Sequence, residues 1–339
     1  MQNHCTHILD TKLISFLLKW ANQFGCPIRS INRKPFNLTA LFVMSTERNH
    51  QYVGRFAPSP SGPLHFGSLV AALGSYLQAK SQQGRWIVRI EDLDPPREMP
   101  GAADDILRTL DAFGLHWDGE LMYQSQRLDV YQSQVEHWLV TGDAYYCQCT
   151  RKQIKDGGGY YLGTCRHLNH GADQSSIRLK IDNPITHFID QLHGRIDIPA
   201  QLAAEDFIIR RRDGLFAYNL AVVLDDIEQG VTEVVRGADL IEPTGRQISL
   251  YQLLQQPEVS YLHLPLATMD NGCKLSKQNH APAINKQDPR PQLLAAMHFL
   301  AMQPPNELAS NSIEEILSWG IAHWQVDNLP QATAITLAF

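Results

Sequence analysis

Apolar and polar positions begin to follow a regular pattern at residue 52. The run 52–56 (YVGRF) contains the strand formers Tyr, Val and Phe and predicts a short strand. Pro58 and Pro60 keep the next residues extended, since each fixes φ and biases its predecessor away from the helical region. Ser61-Gly62-Pro63 turns the chain. Leu69, Val70, Leu73, Tyr76 and Leu77 then recur at helical spacing as far as Gly84. A second strand is predicted over 85–90, and Ile106, Leu107, Leu110 and Phe113 mark a helix over 102–113, closed by Gly114. Leu128, Tyr131, Val135, Trp138 and Leu139 give one face of a further helix over 126–141.

The middle of the chain reads as β-rich, with runs at 177–181, 186–190 and 207–210. Residues 214–226 resume the buried pattern and end in the paired carboxylates Asp225 and Asp226. The run 231–235 predicts another buried strand, ending at Arg236-Gly237-Ala238-Asp239, and a helix over 244–254 follows. Lys274 to Gln278 sit in a loop bounded by Gly and Asn, and the tail carries helical runs at 292–302 and 313–324. Strands alternating with helices predict an α/β fold. Residues 1–49 stand apart: they hold a possible helix over 13–24 but no sustained periodicity. Met44 lies just upstream of the first strand, and two readings of this N-terminal extension stand: Met44 is the start and 1–43 is dispensable, or those residues form a genuine helical appendage.

Composition narrows the class. With 339 residues, 44% hydrophobic and 19% charged, the chain is expected to be soluble and globular, with one large domain carrying insertions or two domains. A net charge of −6 excludes a general polyanion binder, so any nucleic-acid contact needs a local basic patch. No apolar run reaches membrane-spanning length, and the N-terminus lacks a basic leader. The expected location is the cytoplasm.

Three features carry candidate chemistry. The strand, loop and helix start around His65-Phe66-Gly67-Ser68 predict an anion site of free N–H groups and helix dipole, where Gly67 admits a ligand and His65 and Ser68 donate hydrogen bonds. Glu91-Asp92-Leu93-Asp94 follow the second strand, at the strand end where α/β sheets bind ligands. Cys147-x-Cys149 and Cys165, across a glycine loop, offer three soft ligands for zinc. Tyr161, His167 and His170 are candidates for a fourth ligand, and general zinc chemistry favours a histidine.

RFAPSPSGPLHFGS, RIEDLDPPR, VVLDD, EVVRGADL and KLSKQ stand in an order and spacing that resemble the catalytic core of class I glutamyl-tRNA synthetases, over about residues 50–285. The resemblance implies a Rossmann-like class I catalytic domain over 50–286, with a zinc-binding insert at about 144–205. A short helical segment over 287–339 would follow, with no anticodon-binding domain. The cysteine insert and the short tail look most like the family's truncated paralogues, which glutamylate the queuosine base in the anticodon loop of tRNA(Asp). Ordinary charging of a tRNA 3′ end is the alternative.

The resemblance also implies roles. His65, Gly67, Lys274 and Lys277 would be catalytic, and Pro58, His65, Gly67, Ser68 and Lys277 would bind ATP. Arg55, Ala57, Ser59, Glu91, Tyr218 and Arg236 would bind glutamate, the arginines by a bidentate carboxylate grip. Ser68 and Gln278 depart from the family's usual second histidine and terminal serine. For the metal, the family pattern selects Cys147, Cys149, Tyr161 and Cys165. One structural Zn²⁺, Mg²⁺ with ATP, and a monomer are expected.

Overall fold

A computed structural model describes residues 51–269, 275 and 282–337. The expectations for 1–49, including the helix over 13–24 and the start at Met44, lie outside the described residues, as do Lys274, Lys277 and Gln278.

Val53–Phe56 (β1), the helix Phe66–Ser81 (α1) and Arg85–Ile90 (β2) form the first unit, in which β1 and β2 pair in parallel. Parallel neighbours need such a crossover, because a hairpin reverses direction. Ala102–Ala112 (α2) leads to the short strand Met122–Tyr123 (β3), parallel to β2. Leu128–Thr141 (α3) then delivers the chain to Ala144–Cys147 (β4) and Arg151–Asp156 (α4). Ser176–Leu179 (β5) pairs antiparallel with β4, and His187–Asp190 (β6) forms a hairpin with Gly194–Asp197 (β7). After Ala200–Ala203 (α5), Ile208–Arg210 (β8) completes a three-stranded sheet in the order β4-β5-β8.

The buried pattern over 214–226, which the sequence assigns to no element, is helical from Tyr218 on, as Tyr218–Glu228 (α6). Its apolar stretch is enclosed on every side, and in such a segment periodicity alone does not separate strand from helix. Glu233–Gly237 (β9), Ile241–Leu253 (α7) and Ser260–Leu264 (β10) repeat the parallel pattern. The expected insert is not wholly separate from the sheet. Its strand β6 adds to β10, giving the order β7-β6-β10-β9. On the far side of β9, the Thr232 N–H donates to the Val53 carbonyl at 2.9 Å, which brings β9 beside β1.

Leu266–Thr268 (β11), Arg290–Phe299 (α8), Ile313–His323 (α9) and Ala334–Thr336 (β12) complete the order, with β12 parallel to β11. The tail shares the core of α1. A Cβ built on Gly320 would lie 2.7 Å from Met297 and 3.1 Å from Leu77, and Trp324 Nε1 donates to Gln78 Oε1 at 2.6 Å.

Strand alternation sorts the side chains into two layers. Phe56, Trp86, Val88, Val235, Leu262 and Leu264 pack with α1, α2, α8 and α9. Val53, Ile87, Val234 and Tyr261 pack with α3, α6 and α7. Two residues further along each of those four strands stand Arg55, Arg89, Arg236 and His263. The alternation that builds the second core therefore sends four polar side chains to the same layer at the strand ends.

Candidate active site and metal centre

A cavity of about 390 Å³ opens at the C-terminal ends of β1, β9 and β10. Its lining includes Arg55, Ala57, Pro58, Ser59, His65, Gly67, Ser68, Tyr218 and Arg236, all expected from the sequence. Glu91 lies outside that lining, in an adjoining cavity that shares Ser59 and Ser61.

His65 is the N-cap of α1, and its Nδ1 accepts the Ser68 N–H at 3.3 Å. One of the N–H groups expected to be free for an anion is therefore taken. With Nδ1 an acceptor, the proton of a neutral His65 ring resides on Nε2. Gly67 has a second reason to lack a side chain, beyond admitting a ligand. A Cβ there would lie 3.2 Å from His65 Cε1 and 3.3 Å from Nδ1, pressing on the ring that caps the helix. Leu275 is buried, and its N–H bonds the Ala267 carbonyl at 2.9 Å. The chain pairs again at Ala283, which bridges to His65. Leu275 and Ala283 are thus each tied to the elements around the cap of α1.

Arg55 is 3% exposed and bonds both oxygens of Asp226, at 3.2 and 3.4 Å. Asp226 also accepts Arg89 Nη1 at 2.8 Å, so one carboxylate on α6 braces arginines from β1 and β2. Burial alone would raise the Asp226 carboxyl, but the two guanidiniums outweigh it and hold it below the usual range. Asp225 accepts from Gln124, Arg127 and Tyr131, each at 2.7 Å. Glu91 takes a long bond from Arg89 at 3.4 Å; burial pushes its carboxyl up, opposed by Arg89 and Arg55. Among the described residues, Arg55 Nη1 makes no hydrogen bond, which leaves donors for a ligand in the cavity it lines.

Arg236 differs from expectation. Nε donates to His263 Nε2 at 3.1 Å, Nη1 to Gln247 at 2.8 Å and Tyr218 Oη at 3.5 Å. Nη2 donates to the Leu240 carbonyl at 3.1 Å and Thr244 Oγ1 at 2.8 Å. All the N–H groups of a guanidinium are thereby engaged, and a bidentate grip by Arg236 does not fit this arrangement. The long bond towards Tyr218 is the one a ligand can share. Sequence reasoning named Arg236 and missed the residues that hold it: His263, Asp190, Thr244 and Gln247. Only the Asp225-Asp226 pair gave an advance signal of the buried acids.

The cysteines come together. The sulfurs of Cys147, Cys149 and Cys165 all lie within 4.8 Å of one another, with Cys149 and Cys165 at 3.5 Å. Zn–S bonds of about 2.3 Å bring tetrahedral sulfurs to comparable separations, so three thiolates fit a zinc-type site. Neither His167 nor His170 joins this group among the described residues. The Tyr161 hydroxyl does reach it, accepting the Cys165 N–H at 2.8 Å. Arg178 donates to Cys147 Sγ at 3.2 Å and stacks 3.7 Å over the Tyr161 ring. Burial pushes Cys147 up, but the Cys149 N–H and Arg178 outweigh it and lower its pKa; burial pushes Cys149 up to about 12.

The described chain is thus a doubly covered, mainly parallel sheet, with two adjoining cavities at its strand ends and a three-cysteine centre in its insert. The family model for the catalytic domain of class I tRNA synthetases (E and Q) matches residues 51–318. A glutamyl-Q tRNA(Asp) synthetase of Photobacterium profundum is 70% identical over 300 residues, 88% of this chain and 97% of that one. The chain belongs to the glutamyl-Q tRNA(Asp) synthetase family, within the class I tRNA synthetases.

The family member from Escherichia coli K12 is 56% identical over 302 residues, 89% of this chain and 98% of its own. A solved glutamate-tRNA synthetase of Elizabethkingia anophelis shares the fold, with a TM-score of 0.70 at 23% identity, covering 85% of this chain and 68% of that one. Membership of the glutamyl-Q tRNA(Asp) synthetase family makes the chain an enzyme of the aminoacyl-tRNA synthetase type, a ligase, with the Rossmann-like fold the sequence implied. Among the described residues, no helix is long and apolar enough to cross a membrane.

Proposed function

We propose that the chain activates L-glutamate with ATP and transfers the glutamyl group to the queuosine base in the anticodon loop of tRNA(Asp). The observation that carries this reading is that one cavity is lined both by His65 and Gly67, at the start of α1, and by Arg55, Tyr218 and Arg236. A helix start suited to phosphate and a set suited to a carboxylate thereby share one cavity. High identity to relatives that bear the glutamyl-Q name supports the choice of acceptor.

In this reading a substrate carboxylate oxygen attacks the α-phosphorus of ATP, the bond to pyrophosphate breaks, and glutamyl-adenylate forms. His65 Nε2–H and the Gly67 backbone lie where charge grows on the phosphate, with Pro58, Ser68 and the Lys274 and Lys277 side chains as further ATP contacts. Arg55 offers Nη1 to a glutamate carboxylate while Asp226 holds its other edge. Arg236 and Tyr218 share a second contact, Ala57 and Ser59 line the floor, and Glu91 takes the ammonium from the adjoining cavity. A queuosine hydroxyl then attacks the glutamyl carbonyl and AMP leaves. Mg²⁺ bound to the triphosphate would neutralise its charge. Cys147, Cys149, Cys165 and Tyr161 would hold one Zn²⁺, which closes the insert and leaves no position for substrate.

Labelled glutamate, offered with ATP and queuosine-containing tRNA(Asp), should end on the anticodon fragment after nuclease cleavage. Label on the 3′ terminus of tRNA(Glu), with none on tRNA(Asp), would establish ordinary charging instead.

A further inference from the structure

Arg236 is aimed by a partner that is itself controlled. Because a guanidinium only donates, the His263 Nε2 that meets Arg236 Nε at 3.1 Å must be without a proton. The ring proton then resides on Nδ1, 2.7 Å from Asp190 Oδ2. Asp190 is 1% exposed, and its carboxylate also accepts three backbone N–H groups: Leu192 and His193 at 3.0 Å and His263 at 3.2 Å. So surrounded by donors, Asp190 serves only as an acceptor and dictates the tautomer of His263.

Strand register makes the chain of contacts. His263 on β10 sits beside Arg236 on β9, and Tyr261 on β10 sits beside Asp190 on β6. The titratable and charged groups around the ring are Asp190 from β6, Arg236 from β9, His193 from the turn after β6, and Tyr261, stacked on it at 6.1 Å. Thr244 Oγ1 on α7 approaches Nε2 at 3.4 Å. Burial leads the effects that hold the His263 pKa below its ordinary value, and the Arg236 charge adds to it, while Asp190 opposes. The neutral ring therefore prevails at neutral pH.

We propose that Asp190 and neutral His263 are positioning residues for amino-acid binding: by fixing an acceptor at Arg236 Nε, they aim its Nη1 edge towards Tyr218 and the cavity. This rests on the reading that Arg236 contacts glutamate. Asp190→Asn is the informative change. The asparagine oxygen stays with the Leu192 and His193 amides, and its NH₂ takes the place of Oδ2, giving up the bond from the His263 N–H and driving the ring proton to Nε2 against the Arg236 N–H. A comparable carboxylate-to-amide change beside a histidine is known to leave geometry intact and trap the wrong tautomer.

Glutamate-dependent ATP–pyrophosphate exchange reads the effect on the full chain. Asp190→Asn should raise the glutamate KM by about tenfold or more while the ATP KM stays within about twofold. His263→Phe, which keeps the stacked ring without an acceptor, should do the same, and His263→Gln, which restores an acceptor, should recover most of the loss. Glutamate KM unchanged in Asp190→Asn and His263→Phe overturns the inference, as do equal rises in both KM values. If Asp190→Asn does not fold, the His263→Phe and His263→Gln pair decides. No glutamate-dependent exchange in the wild type would remove the glutamate reading itself, and this inference with it.

Discussion

Gly67 shows how a single missing side chain fixes a neighbour. A methyl group at that position meets the His65 ring at 3.2 Å, closer than Cβ atoms ordinarily come. The ring must shift, and with it the cap it makes on Ser68. Gly67→Ala should lower the rate of ATP–pyrophosphate exchange by about threefold to tenfold, because the ring must give by a few tenths of an ångström, and a full displacement of about 1 Å at a reacting centre costs about a hundredfold. Thermal stability should change little; a variant with full exchange activity would show that His65 is not held by this contact. His65, Gly67 and Arg236 were legible in the sequence because their signals are local: a proline-glycine turn, a helix start and a strand end. Asp190, His263 and Gln247 were not legible. They reach Arg236 from β6, β10 and α7, and no spacing in the chain encodes which strands become neighbours.

Elements built on strong periodicity were read well, and α1, β2, α2 and α3 lie close to their expected spans. The tail helices also form, but the pairing of β12 with β11 had no sequence signal, since a three-residue strand carries too little pattern. The insert gave the opposite lesson. Three cysteines announced the centre and the family pattern named Tyr161, yet Arg178 is recognisable as a partner only once β5 lies across β4. Zinc held there should be structural. Elemental analysis of protein purified without chelators should find about one zinc per chain on tetrahedral coordination, and Cys147→Ser should lower it and destabilise the insert. Loss of zinc should slow exchange only as far as the insert unfolds. Wild-type protein without zinc would refute the centre.

At the scale of the whole molecule, buried ionisable groups tie stability to pH. Asp190, Asp226 and His263 all have folded pKa values below their ordinary ones. The unfolded chain then binds more protons, so these groups stabilise the fold above their unfolded pKa, and that contribution is lost as pH falls. For His263 the loss begins below about 6.5; Glu91, shifted upward, acts in the other direction. Urea midpoints should fall between pH 7 and pH 5, and fall less in His263→Gln; equal falls would dissociate His263 from the effect. A chain begun at Met44 should match the full chain in melting temperature and exchange, because no sequence motif of the cavity lies upstream of Arg55. Loss of either property would give residues 1–43 a role.

The bond between Trp324 and Gln78 joins positions 246 apart in the chain. Ribosomes add about 5–20 residues each second, so roughly 12 to 50 seconds pass between the synthesis of one partner and the other. Throughout that interval α1 lacks α9, and the side of Leu77 that meets Gly320 remains uncovered. The helix whose start lines the cavity is among the first of the described elements to be made and among the last to be enclosed. A nascent chain of this kind is exposed to aggregation for most of its own synthesis, and slower growth at low temperature or an added holdase should raise the soluble yield.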